Sequence, residues 1–259
     1  MQYGMYISAS AVSTAMARQD VLSNNLANVN TVGFRPDTLH VRQRQAAAQE
    51  DGLTSLPSHK LLERLGGGVL PAAMRLSTAQ GPIQETANTL DLALEGSGFF
   101  VTRSPNPREG EDPLRLTRDG RLTARTDGTL VTAGSGLPVL SDSGSEIRIN
   151  MQSNQPLQID FDGTVRQGKS EAGRLRVADV PEPSMLIKDG DNLLRPNGQA
   201  MIDGTAQVRS RHVELSGVDA IRSMIGVTSA SNAASTGLTM ISYYSDMMSR
   251  AIVALGRVT

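Results

Sequence analysis

The segment Leu22–Arg35, LSNNLANVNTVGFR, ends a helical pattern and decides how the fold begins. Upstream of this segment, apolar or small residues recur mostly three, four or seven positions apart, which indicates a helix from Met5 to about Val29. The residues of that stripe are Met5, Ala9, Val12, Met16, Leu22, Leu26 and Val29. We expect Gly33 and Pro36 to end the helix, because glycine allows a left-handed exit and proline disfavours helical backbone before it.

The same segment is rich in asparagine, at Asn24, Asn25, Asn28 and Asn30. Asparagine is unfavourable inside a helix because its amide competes for backbone hydrogen bonds. One interpretation is an extended helix cap that Asn28 and Asn30 close. The other is that amide side chains, which donate and accept at once, satisfy buried polar groups between packed helices and fix their register. The residues themselves leave both interpretations open.

A second helical pattern runs from about Val218 to Leu255. Written as heptads, its a positions are Met224, Ser231, Leu238, Ser245 and Ile252, and its d positions are Val227, Ala234, Ile241, Met248 and Leu255. A mostly apolar a/d stripe is typical of a coiled-coil seam. Gly226 and Gly237 lie inside this helix and each costs about 1 kcal/mol relative to alanine. Few charges flank the stripe, and helices poor in charge on all sides are normally buried. We therefore expect the two terminal helices to pair and to need other chains as well.

Between the helices the pattern changes to short alternating segments separated by turns. Asp-Gly and Asn-Gly pairs, which favour tight hairpins, occur at residues 119–120, 127–128, 162–163, 189–190, 197–198 and 203–204. The run Leu114–Leu140 is typical of a meander. The sequence therefore predicts an α+β fold in which the N- and C-terminal helices form a coiled-coil-like domain around a central, mainly-β domain. The expected segments are 1–35 (N-terminal helix), 36–80 (connection), 81–205 (β domain) and 206–259 (C-terminal helix).

Composition excludes several classes of protein. The chain of 259 residues has a net charge of −1 and no cysteine. A general nucleic-acid binder would show a basic excess, and disulfides or thiolate sites are impossible. Residues 1–17 carry no charge, so we expect no cleavable secretory signal. The uncharged stretch Ser223–Ser245 contains too many polar residues for a membrane span, so we expect no membrane insertion.

One motif suggests an enzyme. Asp160-Phe161-Asp162-Gly163-Thr164-Val165 resembles the nucleophile motif of haloacid-dehalogenase-type phosphatases, in which two aspartates and Mg²⁺ transfer phosphate. The alternative is a hairpin whose turn lies at Asp162-Gly163. We favour the hairpin, because the preceding QPLQI lacks the continuous apolar character of a buried parallel strand and no amphipathic helix follows. We expect no catalytic site, no metal and no cofactor.

The quoted segment resembles the N-terminal signature of the flagellar axial proteins, which comprise rod, hook and hook-associated proteins. Three further stretches are similar to blocks of the same family, in the same order: Leu90–Thr102 (LDLALEGSGFFVT), Leu116–Leu140, and Glu214–Met224 (ELSGVDAIRSM). The resemblance covers nearly the whole chain. The length is similar to that of the proximal or distal rod proteins and shorter than that of the hook protein.

The resemblance implies a structural subunit of the flagellar basal-body rod, the periplasmic drive shaft, that is exported through the flagellar type III apparatus. A hook or hook-associated protein is the alternative, and the phosphatase comes last. The implied partners are copies of the chain, neighbouring rod and hook proteins and the export apparatus. We predict that subunits pack through Met5, Val12, Met16, Leu22, Asn24, Asn25, Leu26, Asn28, Val29, Asn30, Gly33, Phe34, Met224, Val227, Leu238, Ile241, Met248, Ile252 and Leu255.

Overall fold

The computed structural model describes residues 2–45, 67–105, 112–153 and 155–256. The chain forms two compact units. Unit one comprises Met1–Ala27, Asp37–Arg75 and Asp219–Thr259, and unit two comprises Asn28–Pro36 and Leu76–Val218. Part of the predicted connection 36–80 lies outside the described residues, as does the side chain of Leu255.

Unit one contains the two terminal helices. Helix α1 spans Gln2–Ala27 and helix α2 spans Ala220–Gly256, and the two pack against each other. The remaining elements are strands β1 (Asp37–Gln43) and β2 (Val69–Leu76), which form a two-stranded sheet. The prediction of two terminal helices is confirmed. Helix α1 ends at Ala27, before Gly33 and Pro36, so these two residues do not terminate it.

The interface between the helices follows small residues of α2. The inward positions include Gly226, Ala230, Ala234 and Gly237. A Cβ atom placed on Gly237 would lie 2.4 Å from Cγ2 of Val12, so the α1 side chain occupies the space that a larger residue would need. The glycines that cost helix propensity therefore allow the two helices to approach closely.

The predicted a/d seam is only half correct. The d positions Val227, Ala234 and Ile241 lie on the covered side of α2. The a positions Met224 and Leu238 are 56% and 51% exposed, and Ile252 is 66% exposed. For Met224 and Leu238 the reason is that the smallest residues, at Gly226, Ala230 and Gly237, form the closest contact with α1 on another side of the helix. Ile252 lies beyond the end of this contact, because Gly4, near the start of α1, already lies against Tyr244.

We expect Gly237→Ala and Gly226→Ala to have opposite effects on the helix pair. Both changes gain about 1 kcal/mol of helix propensity. At Gly237 the new methyl meets the stiff, β-branched Val12, and overpacking of this kind costs about 1–3 kcal/mol. At Gly226 the new methyl lies 2.8 Å from Cδ1 of Leu22, the end of a longer side chain that can turn away. Gly237→Ala should lower the helical circular dichroism of the full-length protein, and Gly226→Ala should preserve or raise it.

The rescue variant is Val12→Ala in the Gly237→Ala background, because it removes the two methyl groups of the clash. Since all four tyrosines lie in residues 3–6 and 243–244, tyrosine fluorescence follows this helix pair without a contribution from unit two. Equal losses in Gly226→Ala and Gly237→Ala, with no rescue, would contradict the predicted role of Val12.

Unit two is built from short antiparallel strands. Its largest sheet has the order β13-β14-β6-β5-β12-β15. The strands of this sheet are β5 (Phe99–Arg103), β6 (Leu114–Thr117), β12 (Val177–Asp179), β13 (Ile187–Lys188), β14 (Leu193–Arg195) and β15 (Ile202–Asp203). A short 3-10 helix, Pro183–Met185, precedes β13.

The remaining strands form smaller sheets. A three-stranded sheet joins β9 (Leu157–Ile159), β10 (Thr164–Gln167) and β11 (Ser170–Arg174). Three pairs complete the unit: β3 (Ile83–Glu85) with β17 (His212–Glu214), β4 (Leu92–Glu95) with β16 (Gln207–Ser210), and β7 (Leu122–Ala124) with β8 (Leu130–Thr132). The helices and this β-rich unit confirm the α+β class.

Strand β5 lies at the centre of unit two. Phe100 belongs to one buried cluster, with Leu92 and Leu130, whereas Phe99 and Val101 belong to a second. Successive residues of a strand point to opposite faces, so both faces of β5 are covered by core. This arrangement explains why the apolar run FFV lacks the alternation of a half-exposed strand.

Three of the six predicted hairpin turns, at residues 127–128, 162–163 and 189–190, join strands that pair in antiparallel fashion. The pairs at 119–120, 197–198 and 203–204 connect strands that are not neighbours in a sheet, so the hairpin prediction is wrong there. Gly128, Gly163, Gly190 and Gly198 have positive φ angles. Gly120 does not have a positive φ angle. Glycine is needed there because a Cβ atom would lie 1.8 Å from the carbonyl oxygen of Leu92. Strands β7 and β8 pair in antiparallel fashion within the predicted meander.

Candidate functional site

The structure divides the predicted subunit-packing residues between the two units. Those of α1, from Met5 to Leu26, lie with those of α2 in unit one, whereas Asn28, Val29, Asn30, Gly33 and Phe34 belong to unit two. The predicted packing residues therefore form two candidate surfaces and not one continuous stripe. One surface lies on the two helices of unit one, and the other lies on the loop Asn28–Pro36 of unit two.

Asn25 is the buried asparagine of α1, with 4% of its surface exposed. Its Nδ2 donates to the carbonyl oxygen of Asp37 at 2.9 Å, and its Oδ1 accepts from the Asp37 N–H at 3.0 Å. The amide thus donates and accepts at once, as the second interpretation requires, but its partner is the backbone of β1 and not another helix. Asn24 and Asn30 are exposed.

The outer face of α2 carries large apolar side chains. Besides the three a positions, those exposed by 44% or more are Ile221, Ile225, Met240, Tyr243, Met247 and Val253. The only charged residues of this 37-residue helix are Arg222, Asp246 and Arg250. A large exposed apolar surface with so little charge marks an interaction site. We refer to these nine exposed residues as the outer face of α2.

Helix α1 adds less to this exposed apolar surface. Tyr6 and Met16 are 66% and 47% exposed, and Met5, Leu22 and Leu26 are half-buried. Val12 is buried at the contact with α2. The predicted α1 stripe therefore splits, because Val12 faces α2 while Met16 points away from it.

The loop from Asn28 to Pro36 is held by turns and by a close backbone approach. Thr31 donates from its N–H to the carbonyl oxygen of Asn28 at 3.1 Å and from its hydroxyl to Asn28 Oδ1 at 3.1 Å. Gly33 has φ 69°, and a Cβ there would lie 2.5 Å from the carbonyl carbon of Arg118. Only glycine fits both requirements at this position. Phe34 is buried, and Nζ of Lys188 lies 4.0 Å from its ring centroid.

Next to this loop lies an ion triad that the sequence did not reveal, formed by Arg35, Glu214 and Arg118. Arg35 Nη2 is 3.0 Å from Glu214 Oε1, and Arg118 Nη1 is 3.0 Å from Glu214 Oε2. All three side chains are at most 4% exposed. The N–H of Gly81 also donates to Glu214 Oε1 at 3.0 Å. One carboxylate is thus the shared counter-charge of two buried cations.

Burial is the largest electrostatic influence on both arginines of the triad. Burial lowers the pKa of Arg35 to about 10, and this effect outweighs the opposing attraction of Glu214. Burial also lowers the pKa of Arg118, again against the effect of Glu214. Since buried charges are stabilised only by a close counter-charge, Glu214 is the residue on which both guanidinium groups depend.

The loop that resembles a phosphatase motif forms a hairpin turn. Strands β9 and β10 pair in antiparallel fashion on either side of it, as the preferred interpretation predicts. Asp162 Oδ1 and Oδ2 accept from the N–H and the hydroxyl of Thr164 at 3.0 and 2.9 Å. The Thr164 N–H bond, followed by the hydroxyl bond, lowers the pKa of Asp162. A carboxylate in this state is a poor proton donor near neutral pH, which argues against the acid role.

Two negative findings apply to the part of the chain that the structure describes. Within residues 2–45, 67–105, 112–153 and 155–256, no three histidine, aspartate or glutamate side chains lie close enough to hold a metal ion. Over the same residues, neither helix combines the length and the hydropathy of a membrane span.

The sequence is similar to known proteins along its whole length. Residues 5–35 match the family described as flagella basal body rod protein, and residues 93–167 match the D1 domain of the flagellar hook proteins FlgE/F/G. The flagellar basal-body rod protein FlgF of Caulobacter vibrioides is 31% identical over 262 residues, covering 100% of both chains. The chain belongs to the flagellar basal-body rod protein family.

Other relatives agree with this assignment. The rod protein FlgG of Buchnera aphidicola subsp. Acyrthosiphon pisum is 28% identical over 86% of this chain and 88% of its own. The flagellar hook protein FlgE of Treponema pallidum is 32% identical over 54% of this chain, but only 29% of that longer protein is covered. The chain is thus a structural rod protein of the flagellar basal body. Its first family match, residues 5–35, covers most of α1 and the loop that follows it as far as Arg35.

Proposed function

We propose that this rod protein polymerises through its terminal helices, with copies of itself and with neighbouring rod and hook proteins, into the drive shaft of the flagellum. The observation that carries the proposal is the outer face of α2, where Met224, Leu238 and Ile252 are each more than half exposed. Covering the exposed part of such a side chain by an adjacent helix stabilises it by about 1–2 kcal/mol.

The distribution of charge supports helix-to-helix contact. A helix covered on one side only is expected to carry many charged residues on its other side. Helix α2 has only three charged residues among its 37. Exposed small polar residues of α2, such as Ser231 and Ser235, lie between the apolar residues near the two ends of the helix. Small side chains of this kind let neighbouring helices pack closely, and burying their hydroxyl groups costs far less free energy than burying a charge.

The proposed role is mechanical and not enzymatic. Torque passes from subunit to subunit through many such helical contacts, while the β-rich unit supplies a rigid body with a core on both faces of β5. Family membership supports two further parts of the proposal: passage through the flagellar type III export apparatus, and contact with other axial proteins.

Amide hydrogen exchange tests the polymerisation proposal. In the monomer we expect much weaker protection over α1 and α2 than over β5, because half of the α2 surface has no partner and isolated helices are marginal in water. In purified rods the protection of α2 should rise towards that of β5. The control is β5 itself, whose protection should not change. Strong protection of α2 in a verified monomer, with no gain in rods, would refute the proposal.

A further inference from the structure

Beside the ion triad, unit two contains a pocket of about 270 Å³. Arg35 and Arg118 line it, together with the ring of Phe99 and the polar residues Thr78 and Ser97. Thr78 and Ser97 are exposed, whereas the two arginines are 3% and 4% exposed. Exposed polar side chains and two buried arginines therefore line the same pocket.

Both guanidinium groups keep unused hydrogen-bond donors. Arg35 donates from Nη1 to the carbonyl oxygens of Thr78 and Ala79. Arg118 donates from Nη1 to the carbonyl oxygen of Leu94 at 3.3 Å and from Nη2 to that of Gly96 at 2.7 Å. Within the described residues, neither Arg35 Nε nor Arg118 Nε has a hydrogen-bond partner. A buried donor without a partner costs about 1–3 kcal/mol, so each such group requires an explanation.

The charge of the triad indicates the kind of ligand. Two guanidinium cations face one carboxylate, Glu214, which leaves one positive charge. A further carboxylate, Asp179, lines the same pocket, but its Oδ1 accepts from the N–H of Val180 at 2.8 Å. The negative charge of Asp179 raises the pKa of Arg118 through space. An incoming anion would therefore compete with Asp179 for the positive charge of Arg118.

We propose that this pocket binds a carboxylate through the guanidinium groups of Arg35 and Arg118. A carboxylate carries the single negative charge that the triad lacks, and its two oxygens match the planar fork of donors that arginine presents. The carboxylate comes either from a small free acid or from an acidic side chain of another subunit. The second source rests on the proposed function, whereas the first does not.

The test is an NMR titration of the full-length, ¹⁵N-labelled monomer with sodium acetate, with sodium chloride keeping the ionic strength constant. The assigned Nε–H resonances of Arg35 and Arg118 should shift saturably with acetate. Asp179→Asn should tighten acetate binding by up to about fivefold, the range of a partly exposed ion pair. Asp203→Asn, on β15 in a different pocket, is the matched control and should leave the affinity unchanged.

Two blocking variants complete the experiment. Ser97→Trp and Thr78→Trp place a large side chain at exposed positions of the pocket and should abolish the acetate-dependent shift while the rest of the spectrum is retained. The proposal is overturned if acetate has no effect beyond that of chloride, or if its effect survives both blocking variants. Rod formation in cells then assigns the source: loss of rods in both variants indicates a side chain of another subunit, and normal rods indicate a free acid.

Discussion

Replacing Glu214 by glutamine should destabilise the β-rich unit by about 3–5 kcal/mol, the usual cost of removing one partner from a buried ion pair. The change preserves the shape of the side chain and an oxygen for the N–H of Gly81. It removes the counter-charge of Arg35 and Arg118, which are almost fully buried. Since domains are stable by only about 5–15 kcal/mol, a loss of this size should be visible in urea unfolding followed by NMR signals of β5.

The control for this prediction is Glu95→Gln. Glu95 pairs with Arg209, but both side chains are close to half exposed, so its loss should cost at most about 1 kcal/mol. A double variant, Glu214→Gln with Arg118→Met, should recover part of the stability because it removes one of the two uncompensated cations. Equal effects of Glu214→Gln and Glu95→Gln would show that the triad does not stabilise the unit.

The second large effect is expected from Leu238→Asp, which should abolish rod assembly and leave the monomer folded. Leu238 is 51% exposed in the monomer, and surface changes of this kind alter stability by about 0.5 kcal/mol or less. If a neighbouring helix covers this position in the rod, each copy buries a carboxylate without a partner, at a cost of several kcal/mol. Imaging of rods in cells, beside thermal unfolding of the purified monomer, measures both outcomes.

Two controls separate this effect from a general effect of the substitution. Leu238→Met keeps volume and polarity, so rods should form normally. Ser235→Asp introduces the same charge at an exposed polar position of the same helix, and its effect should be smaller because less apolar surface is lost. Normal rods in Leu238→Asp would refute the proposed packing of the outer face of α2.

Local patterns in the sequence predicted the local structure well. Both helices, the hairpin at Asp162-Gly163 and the pairing of β7 with β8 follow from the spacing of apolar residues and from turn chemistry. These features depend on residues that are near one another in the chain. The predicted meander is wrong at its start, because β6 pairs with β5 and β14 and not with β7. The end of α1 was predicted from Gly33 and Pro36, but the helix already ends at Ala27. The turn that follows is held by the hydrogen bond from Thr31 to Asn28, which Gly33 does not indicate.

The parts that could not be predicted depend on residues far apart in sequence. Arg35, Arg118 and Glu214 meet only after folding, and no periodicity connects them. The face of α2 that contacts α1 was also misassigned, because heptad rules assume that the larger apolar residues fill the seam. Gly226 and Gly237 mark the side of α2 that contacts α1. In the sequence alone they indicate only a loss of helix propensity. Whether the exposed a positions pack against other subunits stays a prediction.

The ends of the β-rich unit are hydrogen-bonded to each other. Gly33 donates from its N–H to the carbonyl oxygen of Glu214 at 2.6 Å, and Gly217 donates to that of Phe34 at 3.0 Å. Ser77 donates from its N–H to the carbonyl oxygen of Pro36 at 2.8 Å, so the segment Leu76–Val218 begins and ends beside the loop Asn28–Pro36. Segments with adjacent ends can be inserted into, or removed from, a host chain without separating the host's own elements. The segment Leu76–Val218 therefore has the geometry of an insert, whose size can change without separating the chain segments that precede and follow it.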